Sequence, residues 1–498
     1  MAAERPLLLG QWLRLVAFHG AGAAIAAATV ALAAMGVPPA VYGDYGVMLS
    51  LVHSASSIGF GWINAGIVRI GREEFMGTGS MAGTLRAGLA LAAFVAMAIV
   101  LVSVTVAAVL PRWPSPAERA MMAAAFLALV AFQFFATAAH AHGRFEGFAG
   151  GQIIARLGPL AAAGVFLVLS DQGPLVLLAG ATIGYLLAAH HCARPILARP
   201  LRSDRAWRTR ATEIVRYARW LPVSSVAVMA LQWMGFWLVH RGVGAAEAGI
   251  LLWAMGALAL VGGALQPLGA SLAPRLIDLR LADDRAGLGH RLDLLIAIGV
   301  LLASLAPFLV GCVLLAGALL LPAAYAPAAG PLAALFASLP ALALSSVAVP
   351  LVSAFERMIG RLVAVIVAGA AVQLAVLLVL VPGFGAEGAA YATALTTALM
   401  AAAHCALARI ARGGMESLRT VLSRALAVGA VPIACAVLLR QVGPWQTAAL
   451  GPILTLALLL ACRRGGLLRL LGDFAPQLWA LPAWPRRLAI AALAWLAR

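Results

Sequence analysis

Lysine is absent from this chain of 498 residues, and charge of either sign is scarce. All 35 basic residues are arginine, only 18 residues are acidic, and charged residues make up 11% of the chain against 63% hydrophobic residues. This balance excludes a soluble globular protein, because one core cannot bury so much apolar surface. The lack of lysine also excludes a Walker-type phosphate-binding loop, which requires Gly-x-x-x-x-Gly-Lys.

Cysteine is rare as well, and its spacing excludes a cysteine-based framework. The five cysteines are far apart, mostly inside apolar stretches, and none forms a Cys-x-x-Cys pair. Disulfide frameworks and cysteine-ligated metal sites need clustered residues. We therefore expect buried free thiols, no metal and no cofactor.

Long apolar runs are what the sequence has in abundance. Fourteen runs of about 17 to 29 residues follow one another almost without a break, and roughly 20 residues suffice for a helix to cross a 30 Å hydrocarbon layer. Helices satisfy their own backbone groups in lipid, so the sequence predicts an all-α integral membrane protein with about 14 transmembrane helices. The predicted spans are 13–35, 42–66, 87–110, 119–140, 150–170, 174–190, 218–239, 246–270, 293–321, 331–354, 362–381, 386–408, 421–439 and 446–462.

Arginine is distributed unevenly between the two sets of linkers. Linkers on the side of the N-terminus hold 23 arginines and those on the opposite side hold four. Since short cytoplasmic loops retain basic residues, both termini are predicted to be cytoplasmic. Topology thus accounts for the net charge of +17, and we expect no nucleic-acid partner.

An arginine-rich linker divides the predicted spans into six and eight. A weak internal similarity supports two lobes, because Asp44 and Gly46 at the start of the second span match Glu247 and Gly249 at the start of the eighth. Such a parallel repeat is typical of transporters whose halves rock about a central site. The predicted parts are an N-lobe at 1–192, a cytoplasmic linker at 193–217, a C-lobe at 218–410, two further helices at 411–462 and an interfacial tail at 463–498.

Three short segments resemble a known family in their order along the chain. They are Gly59-Phe-Gly-Trp-Ile-Asn-Ala-Gly, Glu356-Arg-Met-Ile-Gly-Arg-Leu, and Leu380-Val-Pro-Gly-Phe-Gly-Ala-Glu-Gly-Ala-Ala-Tyr-Ala-Thr-Ala. In the third, Pro382 can end one helix and the glycines permit a tight reversal before the next. The chain resembles the Wzx-type polysaccharide flippases of the multidrug/oligosaccharidyl-lipid/polysaccharide exporter superfamily, over about residues 10–410 in helix order.

This resemblance implies a function in surface polysaccharide assembly. A flippase of this kind moves an undecaprenyl-pyrophosphate-linked oligosaccharide from the cytoplasmic to the periplasmic leaflet of the bacterial inner membrane, by alternating access. The implied partners are that lipid-linked substrate, membrane lipid and a polysaccharide polymerase or glycosyltransferases. No enzymatic activity is implied.

Polar residues inside the spans are the candidates for lining such a passage, because they are costly in lipid. In the second span, Ser50, His53, Ser57, Gly61 and Asn64 follow steps of three and four and share one helical face, with Arg69 at the cytoplasmic end of the span. Arginine suits a pyrophosphate headgroup, since it stays charged and binds phosphate oxygens bidentately. The candidate substrate-binding residues are Arg14, His19, Ser50, His53, Ser57, Asn64, Arg69, Ser225, Gln232 and Gln266.

Three interpretations compete with this one. The same polar residues can act as hydrogen-bonding contacts between helices, and Arg14 and Arg69 can serve only as topology signals. A multidrug exporter of the same superfamily is a second possibility, weakened because no acid lies in the middle of a predicted span. A membrane-embedded polymerase or ligase is a third, weakened because the predicted periplasmic linkers are short.

Overall fold

The structure is a computed structural model. It describes residues 5–109, 115–142, 144–169, 173–197, 207–259, 301, 304–315, 318–319, 321–353, 355–411, 431–442 and 444–464, with side chains in the first helix from Ala21 onward. These residues form helices and turns and contain no strand. The all-α fold class is confirmed.

The helices follow one another with short connections. In chain order they are α1 (Arg5–Gly36), α2 (Pro39–Thr78), α3 (Ala82–Val109), α4 (Pro116–Ala141), α5 (Phe145–Val168), α6 (Pro174–Leu197), α7 (Trp207–Ala218), α8 (Leu221–Gly242), α9 (Ala245–Ala259), α10 (Ser304–Leu315), α11 (Ala329–Phe336), α12 (Leu339–Ser353), α13 (Ile359–Ala411), α14 (Val431–Arg440) and α15 (Pro444–Arg464). Short 3-10 helices precede α11 and α13, at Ala323–Ala328 and Glu356–Met358.

Seven of these helices are long and apolar enough to cross a membrane by length and composition. An eighth span arises if α12 and the helical segment before it, which are bent by 44°, are taken together. Five shorter apolar helices add to these, and α13, one of the seven, has two arms that count as two spans, so each of the fourteen predicted spans overlaps a described helix. About 14 transmembrane helices is therefore consistent with the structure, and the protein is a multi-pass membrane protein.

The chain forms two compact units, which are taken separately below. The first unit comprises residues 14–252, and the second comprises residues 1–13 with 253–498. The lobe boundary predicted at 193–217 concerns an internal repeat, and it stays a prediction. Part of that predicted linker is helical, because α7 begins at Trp207.

Helix α2 is the centre of the first unit. It packs against α3, α4, α6, α7 and α8, and its 40 residues correspond to about 60 Å, roughly twice the thickness of the hydrocarbon layer. One part of α2 therefore extends beyond the membrane, and α7 packs against that part and α3 through the buried Ile214.

Helices α5 and α6 approach each other so closely that only glycine fits between them. A Cβ atom on Gly158 would overlap the carbonyl oxygen of Gly180, and one on Gly184 would meet the carbonyl oxygen of Ala155. Small residues at helix contacts let backbones approach in lipid, where packing drives association. These glycines set the separation of α5 and α6.

Helix α13 is the centre of the second unit and is two helices in one. Gly385 has a non-helical conformation, with φ 53° and ψ −131°, which reverses the chain between the two arms. Only glycine adopts such a backbone at low cost. The sequence analysis placed a break at Pro382–Gly385, and the structure confirms it.

The second arm of α13 packs on α12 through small side chains. Ala341 and Ala348 of α12 lie against Ala398, Ala401 and Cys405. A second cluster joins α10, α11 and α14 through Val310, Ala333, Ala436 and Leu439. Both clusters rely on alanine, which allows close helix contacts in lipid.

We expect Gly158→Ala to lower the stability of the folded protein by about 1–3 kcal/mol, the usual cost of overpacking. Gly164→Ala in the same helix is the matched control, because a Cβ atom there meets nothing within 4 Å. The control should leave stability unchanged or raise it, since alanine favours a helix over glycine by about 1 kcal/mol. Thermal unfolding in lipid nanodiscs measures both. Equal melting temperatures for the two variants would contradict the close α5–α6 contact.

Candidate functional site

The candidate residues of α2 lie on the face that meets α8. Contacts between the two helices show that they run antiparallel. Near one end of the face Gly46 contacts Phe236, and Ser50 contacts Trp237. Further along α2, His53 contacts Trp233 and Gly61 approaches Ser225. The residue numbers in each pair add to nearly the same total, as regular antiparallel packing requires. The structure thus brings Ser50, His53 and Ser225 into one helix contact.

The hydrogen bonds of this face differ along its length. The indole of Trp237 donates to the hydroxyl of Ser50 at 2.7 Å, and that hydroxyl donates to the carbonyl oxygen of Val47 at 2.7 Å. The imidazole Nε2 of His53 shares a hydrogen bond of 2.9 Å with the hydroxyl of Tyr185 on α6. These bonds make part of the polar face a helix-to-helix contact, as one competing interpretation held.

The other candidates of the first unit are more accessible. Ser57 and Asn64 are half-buried on α2, and Gln232 is exposed on α8. The polar face extends from Ser50 to Asn64, over 14 residues or about 21 Å along the helix axis, and Arg69 follows at a different angle around the helix. These candidates are spread along α2 rather than gathered in one pocket, and we call the series from Ser50 to Arg69 the track.

Arg69 lies where α2 meets the amphipathic helix α7. Its guanidinium stacks 4.7 Å from the centre of the Tyr217 ring and lies 3.6 Å from Glu73, and 41% of its side chain is exposed. Stacking on an aromatic ring holds a guanidinium in place. Arg69 therefore presents a positioned positive charge at the predicted cytoplasmic end of the track.

Glu74 connects the same end of α2 to the start of α3. Its buried carboxylate accepts hydrogen bonds from the amides of Gly83 and Thr84 at 3.0 and 2.9 Å and from the Thr84 hydroxyl. It thereby caps the N-terminus of α3 from α2, where negative charge is favoured. Arg210 of α7 lies 3.8 Å away. Sequence reasoning missed this contact, since two adjacent glutamates reveal nothing about which one is buried.

The opposite end of α2 crosses α9. A Cβ atom on Gly249 would overlap the carbonyl oxygen of Pro39, and one on Gly43 would overlap that of Ala245. Asp44 accepts a hydrogen bond of 2.9 Å from His240 beside this crossing. The two segments whose internal similarity the sequence analysis noted thus lie directly against each other.

An ion pair between a buried glutamate and an exposed arginine lies at the turn of α13 in the second unit. Glu387 is paired with Arg440 at the end of α14, and the Tyr391 hydroxyl lies within hydrogen-bond reach of the same carboxylate. Gly330 leaves room for the pair, because a Cβ atom there would lie 3.0 Å from the carboxylate. A buried carboxylate requires such a partner.

Three predicted site residues cannot be placed with their side chains. Arg14 and His19 belong to α1, whose side chains are described only from Ala21, and Gln266 lies outside the described residues. Their roles stay predictions. Among the residues that the structure does describe, no group of His, Cys, Asp and Glu is arranged to hold a metal ion.

The fold is that of two groups of membrane transporters. The structure is similar to that of the lipid II flippase MurJ in an inward closed conformation, with a TM-score of 0.59 and 11% identity over 89% of this chain and 97% of that one. It is also similar to an inward-facing multidrug resistance MATE family transporter of the MOP superfamily, with a TM-score of 0.52 and 13% identity over 82% and 95%. No protein-family model and no curated protein matches the sequence.

We expect Glu74→Gln to destabilise the protein by about 1–3 kcal/mol, because it removes the charge from a buried acceptor of several hydrogen bonds. Glu73→Gln is the matched control, since the Glu73 side chain is 66% exposed and an exposed ion pair contributes below about 1 kcal/mol. Thermal unfolding of both variants at neutral pH makes the comparison. A control that destabilises as strongly as Glu74→Gln would refute the capping role.

Proposed function

We propose that this protein is a flippase for a polyprenyl-pyrophosphate-linked oligosaccharide. One observation carries the proposal: one face of α2 holds polar side chains from Ser50 to Asn64, about 21 Å along the helix axis, and the exposed guanidinium of Arg69 lies beyond the predicted cytoplasmic end of that face. Each polar side chain in an apolar helix costs free energy when it faces lipid. A row of them along one helix therefore favours a passage for a polar headgroup.

The proposed roles follow from the position of each candidate. Arg69 at the cytoplasmic end receives the pyrophosphate, with Arg14 as its proposed partner on α1. Ser57, Asn64 and Gln232 offer hydrogen bonds to hydroxyl groups along the track. The polyprenyl tail stays in lipid throughout, where its transfer costs nothing. His19 and Gln266 complete the proposed lining.

Alternating access is proposed to use the two ends of α2 differently. At the predicted periplasmic end, α2 and α9 touch through Gly43 and Gly249, and Asp44 and His240 add a hydrogen bond. A substrate released there requires these contacts to separate. Packed helix contacts of this kind have discrete arrangements rather than continuous ones, as a rocking mechanism needs.

A multidrug exporter is the second candidate function, since one of the similar structures belongs to such a transporter. The track argues against it on chemical grounds. The acids of α2 are Asp44, Glu73 and Glu74, all near its ends, and α8 carries none. A cationic drug would thus find no carboxylate beside the middle of the track.

We expect Arg69→Ala to reduce flipping of a fluorescent undecaprenyl-pyrophosphate oligosaccharide in proteoliposomes by about tenfold or more, because a charged hydrogen bond to phosphate contributes about 1.5–3 kcal/mol. Arg69→Lys should retain part of the activity, since it keeps the charge but not the bidentate geometry. The initial rate at several substrate concentrations separates binding from turnover.

Arg208→Ala serves as the matched control for this assay. Arg208 is exposed on α7, and its guanidinium lies 5.6 Å from the centre of the Trp207 ring rather than on a candidate residue, so its removal should leave flipping unchanged. Equal rates for the intact chain and Arg69→Ala would remove Arg69 from the site. Absence of flipping by the intact chain, together with export of a cationic dye, would replace the flippase by the exporter.

A further inference from the structure

Three aromatic side chains meet in the middle of the first unit. His53 of α2, Tyr185 of α6 and Trp233 of α8 form what we call the ring cluster. Their ring centres lie 6.2 Å apart for His53 and Tyr185, and 6.4 Å apart for His53 and Trp233. Phe132 stacks behind Tyr185, with an angle of 8° between the ring planes. Phe132 therefore packs against the Tyr185 ring of the cluster.

Trp233 differs from its neighbour Trp237 in one respect. The Trp237 indole N–H donates to Ser50 at 2.7 Å, whereas the Trp233 Nε1 atom is buried and has no hydrogen-bond partner among the described residues. Buried indole N–H groups usually have an acceptor, because leaving one unsatisfied costs about 1–3 kcal/mol. An unpartnered donor beside a polar cluster points to a missing acceptor.

The surroundings of the cluster are unevenly exposed. Gln232 shares a helical face with Met229 and Phe236, which are buried against neighbouring helices, yet Gln232 is exposed. His53, Tyr185 and Trp233 are each half-buried, so the cluster keeps some accessible surface, although the Trp233 Nε1 atom itself is covered. A ligand that accepts a hydrogen bond from this atom therefore requires the Trp233 side chain to shift.

The chemistry of the cluster selects a neutral, hydroxylated ring. Aromatic faces offer apolar contact, the free indole N–H offers a donor, and the His53 imidazole and Gln232 amide offer further hydrogen bonds. A lipophilic cation would need a carboxylate, but the nearest acid on α2, Asp44, is nine residues away and bonded to His240. Ligand sites typically combine such aromatic surface with a few placed polar groups.

We propose that the ring cluster is a carbohydrate subsite, in which a sugar ring packs on Trp233 and Tyr185 while the Trp233 indole donates to a sugar oxygen. This inference rests on the proposed flippase function and names the part of the substrate that the middle of the track binds. Discrimination between lipids with and without sugar then arises here, and Arg69 binds both through the pyrophosphate.

The test compares two kinds of lipid on the same protein. Binding of undecaprenyl pyrophosphate, and of the same lipid bearing glucose, galactose or N-acetylglucosamine, is measured by competition against a fluorescent undecaprenyl pyrophosphate in nanodiscs. The intact chain should bind at least one sugar-bearing lipid about tenfold more tightly than the bare lipid. Trp233→Phe should reduce that preference about tenfold, as loss of one hydrogen bond predicts, and should leave binding of the bare lipid unchanged.

Trp237→Phe is the matched control. It removes an indole N–H from the same helix, but one that already has a structural acceptor, so the preference for sugar should persist while stability falls. If Trp233→Phe unfolds, Tyr185→Phe tests the same subsite. It should reduce the preference for sugar-bearing lipid about threefold.

The outcomes separate the two proposals. If the intact chain binds bare and sugar-bearing lipids equally, or if Trp233→Phe keeps the full preference, the carbohydrate subsite is wrong while the flippase function stands. If the intact chain binds neither kind of lipid, the flippase function itself fails, and the subsite fails with it.

Discussion

The hydrocarbon layer offers no hydrogen-bond partner, and the rest of this structure depends on that constraint. Backbone groups are satisfied within helices, so the described chain contains helices and the short turns between them. Polar side chains within the spans must find partners on neighbouring helices. Ser50 does so with Trp237, His53 with Tyr185 and Ser56 with Gln133. Function is built from the few polar groups that this rule leaves accessible.

Close helix contacts are the second consequence of the same solvent. Lipid tails are as apolar as leucine, so burying leucine between helices gains little, and packing distance matters more. Glycine provides that distance where α5 meets α6 and where α2 meets α9, and alanine provides it between α12 and α13. The abundance of both residues in the sequence therefore has a structural use beyond helix propensity.

Polar contacts in the first unit divide into two kinds. Glu74 and Trp237 have their hydrogen bonds satisfied within the fold, which is what a structural role requires. Arg69 is partly exposed beside Glu73 and Tyr217, and the Trp233 indole has no partner among the described residues. Residues of the same type on the same helix thus differ in role because of the contacts opposite them.

Much of the architecture was determined by the sequence alone. Apolar runs of membrane-spanning length fixed the number and order of helices, since hydrophobic thickness is a property of lipid and not of the fold. Proline and glycine fixed the break within α13, because their backbone restrictions are local. The polar face of α2 was likewise readable from a spacing of three and four residues.

Tertiary structure alone decided which helix covers that face and which side chains are buried against it. The local sequence does not distinguish Trp233 from Trp237, because the acceptor for Trp237 is Ser50 on another helix. It does not distinguish Glu73 from Glu74 either, because the donors to Glu74 are Gly83 and Thr84 at the start of the next helix. Hydrogen bonds between helices depend on the angle and position at which the helices cross. That crossing results from the packing of all the helices together and cannot be predicted from any one segment of the sequence.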